Sequence, residues 1–423
     1  MNSELLEQVR VLDPVSGKEA IADVLLVNGI IKAIAPQIQE FPSEAIVTDC
    51  QGLILAPGLI DLYSRSGEPG YEERETLLSL AQAATAGGFT QLNILPNTSP
   101  PLDNPAELVL LQHKQQAIQS SLIAPVKMNF WGNLTVGGKG EQMSELAKLC
   151  AAGVIGFTDA TSVRDLALVR RLLEYLQPLD KPVALRAVDA HLQGNGVMRE
   201  GACSLRYGLP GNPAMAEAAA LAALLEVVAA VGTKVHIMAI STARSVELIA
   251  EAKKRGVPVT ASTSWLHLLL DSQDTQSYHP NLRLEPPLGN PEDRIALIEG
   301  VKEGIIEAIA VDHCPYTYEE KTVAFAEAPP GAIGLELMLP LLWEKLVALG
   351  ILSAIDLWRA LTVGPKNCLG QKPSPLTPGT KAELVLFAPQ KTWQVDRKNL
   401  YSLSSNTPWW EKEVTGRVIK VWN

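Results

Sequence analysis

Short apolar runs recur through the middle of this chain, and a longer stretch with helical spacing follows most of them. Runs at 59–64, 89–95, 127–134, 154–159, 183–188, 234–241, 257–264 and 306–312 are rich in β-branched and aliphatic residues, as strands buried on both faces must be. Stretches at 74–86, 143–151, 165–176, 215–231, 243–255 and 291–303 have the pattern of helices. Strand then helix, about eight times over, predicts an α/β chain folded as a (β/α)₈ TIM barrel. The competing arrangement is an open, doubly wound sheet. No Gly-x-Gly-x-x-Gly follows an early strand, so a dinucleotide fold gains no support.

The ends are patterned differently. Short strands are predicted at 9–13, 22–27 and 30–34, the last two flanking Asn28-Gly29, a type I′ hairpin signal. Further strands are predicted at 383–387, 392–395 and 414–421. Together they suggest one small β-sandwich domain built from both chain ends, 1–55 and 366–423, around a barrel at 56–365. Helices at 334–349 and 354–361 would close the barrel.

The 423 residues suffice for one barrel of roughly 250 residues or more and a smaller unit. Hydrophobic residues make up 47% and aromatics 5%, so the core is aliphatic. The formal net charge of -10 argues against nucleic acid or an anionic membrane as main partner. No run approaches ~18 uninterrupted apolar residues; the Ala-rich stretch 214–231 comes nearest and is broken by Glu217 and Glu226. The first residues have no basic region followed by an apolar stretch, as a signal peptide would. Five scattered cysteines without a Cys-x-x-Cys pair fit a reducing cytoplasm, the expected location.

Barrel enzymes place their chemistry at the carboxyl ends of the strands. Several segments near those ends carry a pattern together. They are Ala56-Pro57-Gly58-Leu59-Ile60-Asp61-Leu62, Glu68-Pro69-Gly70, Ala86-Gly87-Gly88-Phe89-Thr90 and Pro96-Asn97-Thr98. Gly156-Phe157-Thr158-Asp159, Ser241-Thr242, Asp312-His313-Cys314-Pro315, Ala328-Pro329-Pro330-Gly331 and Gly334-Leu335-Glu336 continue it. In this order, over nearly the full length, the chain resembles the class I dihydroorotases of the cyclic amidohydrolase superfamily.

That resemblance implies a metal-dependent hydrolase framework with four metal-binding histidines in active members. Those positions fall on Tyr63, Arg65, Arg186 and Ala239 here. A guanidinium stays charged and has no lone pair for a metal. Two acidic ligand positions survive as Asp159 and Asp312, the latter the general base of active relatives. The six histidines, His113, His191, His236, His267, His279 and His313, show no His-x-His or His-x-x-x-His spacing. The zinc of active relatives is therefore predicted absent, with no other cofactor implied. His313, next to Asp312, should leave its strand on the opposite face.

The substrate positions are mixed. Asn97 matches the carboxylate-binding Asn of the family, and Pro330 and Gly331 match its backbone contact loop. The Arg after His-x-His is Gly67, the Asn of Asn-Pro-Pro-Leu-Arg is Glu285, and a second His is Tyr316. Arg65 and Arg186 are expected to occupy the vacated volume and pair with Asp159 and Asp312.

The resemblance then implies a dihydroorotase-like pseudoenzyme of pyrimidine biosynthesis. It would serve as a structural partner of aspartate carbamoyltransferase in a homo- or hetero-oligomer. One rival is a working dihydroorotase or other cyclic amidohydrolase with an atypical or absent metal. Another is a small-molecule sensor that keeps the pocket for binding alone.

Overall fold

A computed structural model describes residues 3–122, 124–162 and 164–423. The chain begins with β1 (Ser3–Asp13), β2 (Lys18–Val27), β3 (Ile30–Ala35), β4 (Ile46–Asp49) and β5 (Ile54–Pro57). The barrel follows with β6 (Leu59–Ser64), β7 (Phe89–Ile94), β8 (Lys127–Phe130) and β9 (Val183–Arg186). A two-residue pair, β10 (Met198–Arg199) and β11 (Gly211–Asn212), lies in the loop before β12 (Val235–Met238), β13 (Val259–Ser264) and β14 (Ala308–Ala310). The chain then returns through β15 (Leu384–Gln394) and β16 (Glu413–Trp422).

The terminal strands form one seven-stranded sheet, ordered β16-β15-β5-β1-β2-β3 with β4 on β1. Both ends of the chain therefore meet in a single hydrogen-bonded unit. Asn28 and Gly29 have φ of 51° and 73°, the two positive values a type I′ turn requires. The predicted strands at 383–387 and 392–395 are one bulged strand, β15. β4 and β5 are too short to show a pattern in the sequence.

In the barrel, β6-β7-β8 and β9-β12-β13-β14 are parallel ladders. The predicted strand at 154–159 shrinks to bridges from Phe157 to Gly132 and Val183, which join the two ladders. The indole of Trp131 takes the space beside it. A Cβ on Gly156 would stand 2.5 Å from that ring. The other seam closes where Arg65 N–H donates to the His313 carbonyl (2.8 Å) and Val311 N–H donates to Asp61 (2.9 Å).

The barrel filling is a cluster separate from the helical layer. Large Tyr63 and Trp131 pack with small Ala184, Ala239, Ala308 and Ala310, an alternation of sizes that fills a cylinder without voids. Trp131 donates from its indole nitrogen to the Leu62 carbonyl (2.9 Å).

Helices Leu77–Ala86, Leu146–Ala152, Leu166–Leu176, Met215–Val231, Ala243–Lys254 and Pro291–Lys302 surround it. Helix Pro105–Ser121 has no clear stripe in the sequence because only Leu108 and Leu111 are buried. The closing helices are broken by π turns at Trp343–Val347 and Arg359–Val363. Their indoles, Trp343 and Trp358, meet edge-on with centroids 5.9 Å apart. Phe387 of β15 lies 5.7 Å from Trp343, tying the sheet to the barrel.

Candidate functional site

The expected site positions lie at the carboxyl ends of the barrel strands, and Tyr63 is fully buried among them. Its hydroxyl accepts from Ala239 N–H (3.0 Å) and bonds Ser262 Oγ (2.8 Å). Ser262 Oγ lies 2.9 Å from His236 Nε2, and His236 Nδ1 lies 3.0 Å from Thr260 Oγ1. Burial pushes the His236 pKa down to about 3, so the ring is neutral. The chain is consistent with Tyr63 donating to Ser262, Ser262 donating to Nε2, and Nδ1–H donating to Thr260. Burial raises the Tyr63 pKa, and the nearby Asp312 charge raises it further. Ala239 adopts φ of 51°, the left-handed turn that aims its N–H at the phenol.

Arg65 directs Nη1 to Cys314 Sγ (3.3 Å), while its buried Nε has no hydrogen-bond partner. Arg186 donates through Nη2 to the backbone carbonyl of Glu285. The Glu285 carboxylate accepts from Gln193 Nε2 (3.1 Å to each oxygen). Asp159 accepts from Thr135 N–H (2.9 Å) and from Thr135 Oγ1 (2.6 Å). Burial moves its pKa above the ordinary carboxylate value, and the Thr135 bonds pull it part of the way back.

The ion pairs expected between the two arginines and the two aspartates are therefore not formed among the described residues. The reason is local. Thr135 satisfies both oxygens of Asp159, so this carboxylate needs no cation, and each guanidinium has a nearer partner in Cys314 or the Glu285 carbonyl. Asp312 stays half-buried with φ of 48° and shares a small cavity with Arg65 and Glu285.

His313 turns away from the mouth, as its place in the strand predicts. Its Nε2 lies 3.4 Å from Glu75 Oε2 in a fully buried pair, and its Nδ1 accepts from Gly334 N–H (3.2 Å). Hydrogen bonds from His313, Ser402 and Ser79 keep the Glu75 pKa below the ordinary value despite the opposing effect of burial.

The remaining space is small. Asp312, Glu285, His267, Pro330 and Gly331 border a cavity of about 20 Å³, room for one water. Asn97, Gly67, Arg74 and Tyr316 border another of about 50 Å³. Arg65 and Cys314 line both. Small-molecule sites usually measure roughly 300 Å³ or more. Asn97 is exposed at the edge of the second cavity. Pro330 and Gly331 lie at the first, so the three positions expected to contact a substrate do not border one space. At Gly67 a Cβ would stand 2.5 Å from the Glu75 carbonyl oxygen, so an arginine there would need the backbone to move. The Tyr316 ring lies between Arg74 (5.1 Å) and Lys321 (5.3 Å).

Three features escaped the sequence reading: the Cys314 contact to Arg65, the Thr135 hold on Asp159 and the polar chain through Ser262. Only the last leaves a trace. Thr260, Ser262 and Ser264 alternate along β13 with Val259, Ala261 and Thr263, which places the three on one face of the strand.

Zinc needs imidazole, thiolate or carboxylate donors converging on one point. The positions here supply a bonded phenol, two guanidinium groups, a methyl group, the Asp159 carboxylate held by Thr135 and the Asp312 carboxylate. No group of three or more His, Cys, Asp or Glu that could hold a metal exists among the described residues. The residues do not fit the metal centre of active relatives.

Comparison with known proteins agrees with this framework. The family model for dihydro-orotase-like proteins matches residues 52–245. A dihydroorotase-like protein of Synechocystis sp. is 46% identical, covering 99% of this chain and 99% of its own. The dihydroorotase of Syntrophus aciditrophicus is 36% identical over 98% of this chain and 96% of its own. Among solved structures, the L-hydantoinase (dihydropyrimidinase) of Arthrobacter aurescens superposes with a TM-score of 0.84 at 21% identity, covering 99% of this chain and 95% of its own. That last likeness gives the fold alone, a TIM-type barrel with accessory β sheets. With such identity over almost the whole length of its relatives, the chain belongs to the dihydroorotase-like family.

Proposed function

We propose that this chain is a non-catalytic dihydroorotase-like protein that serves pyrimidine biosynthesis as a structural partner of aspartate carbamoyltransferase. One observation carries the non-catalytic part. Arg65 and Cys314 line the two cavities beside Asp312 and Asn97, which measure about 20 and 50 Å³. A metal-activated hydroxide needs a held metal, and a cyclic amide needs room beside it. The partner rests on the family resemblance, and the large ordered barrel surface is compatible with it.

Mixing the chain with aspartate carbamoyltransferase and sizing the mixture by light scattering tests the partnership. A stable complex of defined stoichiometry is expected, and two separate peaks would reject the partner. Calorimetry with dihydroorotate tests the closed mouth, and a flat titration is expected. The rival reading, an active cyclic amidohydrolase, draws on the retained Asp312 and on relatives that are dihydroorotases. Stoichiometric dihydroorotate binding would favour it.

A further inference from the structure

A larger cleft, about 320 Å³, opens between helices Leu166–Leu176 and Met215–Val231 at the carboxyl end of β9. Its size reaches the lower end of small-molecule sites, roughly 300–1,000 Å³. Its floor is aliphatic, formed by Leu166, Val169, Leu185, Ala220, Ala223 and Leu224. Its rim is polar and carries Arg164, Arg186, His191 and Asp189. The Asp189 carboxylate is engaged, accepting from His191 N–H (2.8 Å) and Leu192 N–H (3.0 Å) to cap a short helix. Two guanidinium groups therefore face one committed carboxylate, and the rim is left net positive.

We infer that this cleft binds a monocarboxylate with a short alkyl chain, the chain on the aliphatic floor and the carboxylate at the Arg164 and Arg186 rim. A phosphate would leave the apolar floor uncovered, and an amine would meet the arginines with like charge. The cleft is too small for a folded peptide segment. The cleft shares Arg186 with the barrel mouth, and variants at Arg164 and Ala223 probe it without touching that residue.

Calorimetry of the full chain with octanoate tests it, with butyrate and octylamine as comparison ligands. Saturable one-to-one binding of octanoate is expected. Each methylene removed should weaken affinity about fourfold, and octylamine should give no heat. Arg164→Gln, a change at an exposed side chain, should weaken octanoate about tenfold. Ala223→Trp should abolish binding by filling the floor. A flat octanoate titration, equal binding of octylamine, or unchanged affinity in Arg164→Gln would overturn the inference, as would binding retained by a folded Ala223→Trp. Should Ala223→Trp fail to fold, Arg164→Gln and the amine comparison decide alone.

Discussion

Tyr63 holds the mouth together by a hydrogen-bond chain that runs through Ser262 to His236. Its hydroxyl satisfies Ala239 N–H and Ser262, and both partners are buried. Tyr63→Phe keeps the ring and leaves those groups without their partner, so it should cost about 1–3 kcal/mol in urea denaturation. A change within a few tenths would mean that water replaces the phenol and the chain is not structural. Arg65 adds the second closure, since its guanidinium forms a wall of both small cavities. Restoring histidine at both Tyr63 and Arg65 should still not give stoichiometric zinc by elemental analysis. Arg186 and Ala239 leave the other two imidazoles missing, and two neighbouring imidazoles make an open, weak site. One zinc per chain in that double variant would contradict the reading of the donor set.

At the scale of elements, the seam between β6 and β14 depends on Asp61, which accepts from Val311 N–H (2.9 Å) and Ser64 Oγ (2.6 Å). Burial pushes its pKa up to about 7, above the unfolded value of about 3.9. Between those values the folded chain holds a proton that the unfolded chain has released. Stability therefore falls as pH rises through that window, and the full penalty is in place above about 7. His236 works the other way, with a folded pKa of about 3. Its contribution is present above about 6.5 and is lost as pH falls below that value. His267, lowered to about 4, acts as His236 does, and Lys321, lowered to about 8, opposes the carboxyl effect at higher pH, so the melting temperature should drop with rising pH only around pH ~7. Asp61→Asn should make that slope shallower, with Glu336, which burial also pushes up to about 7, still contributing. An unchanged slope in Asp61→Asn would show that the seam carboxyl is not the titrating group.

The same elements show how much the sequence revealed. The runs at 59–64 and 215–231 coincide with β6 and with helix Met215–Val231, because a strand buried on both faces and a long Ala-rich helix both leave dense apolar signals. The run at 154–159 forms isolated bridges, and Ile155, Phe157 and Thr158 still donate to the carbonyls of Phe130, Pro182 and Gly132 in the neighbouring segments. The sequence brought the expected site positions to one end of the barrel. Their bonding pattern was not legible. Residue identity put two arginines and two aspartates near one mouth, but Thr135, Cys314 and the Glu285 carbonyl decide where each group points.

For the whole molecule, the joining of both chain ends makes the barrel and the sheet mutually dependent. Lys420 pairs with Glu4 (2.6 Å), and Asn423 donates to the carbonyls of Thr90 (3.0 Å) and Pro125 (2.7 Å). Deleting 413–423 would strip a ladder partner from β15 and expose Phe387 beside the barrel indoles. The truncated chain should lose cooperative thermal unfolding, and a sharp transition at the full-length temperature would show that the sheet is dispensable. The ordered scaffold is thus maintained from end to end while its mouth is closed. The most direct test of that account is the rate at which the purified chain, supplied with excess zinc, opens the ring of dihydroorotate. No turnover above the protein-free rate is expected, because neither a metal nor the ring has a place between Tyr63, Arg65 and Asp312. Zinc-dependent ring opening that saturates with substrate would contradict it.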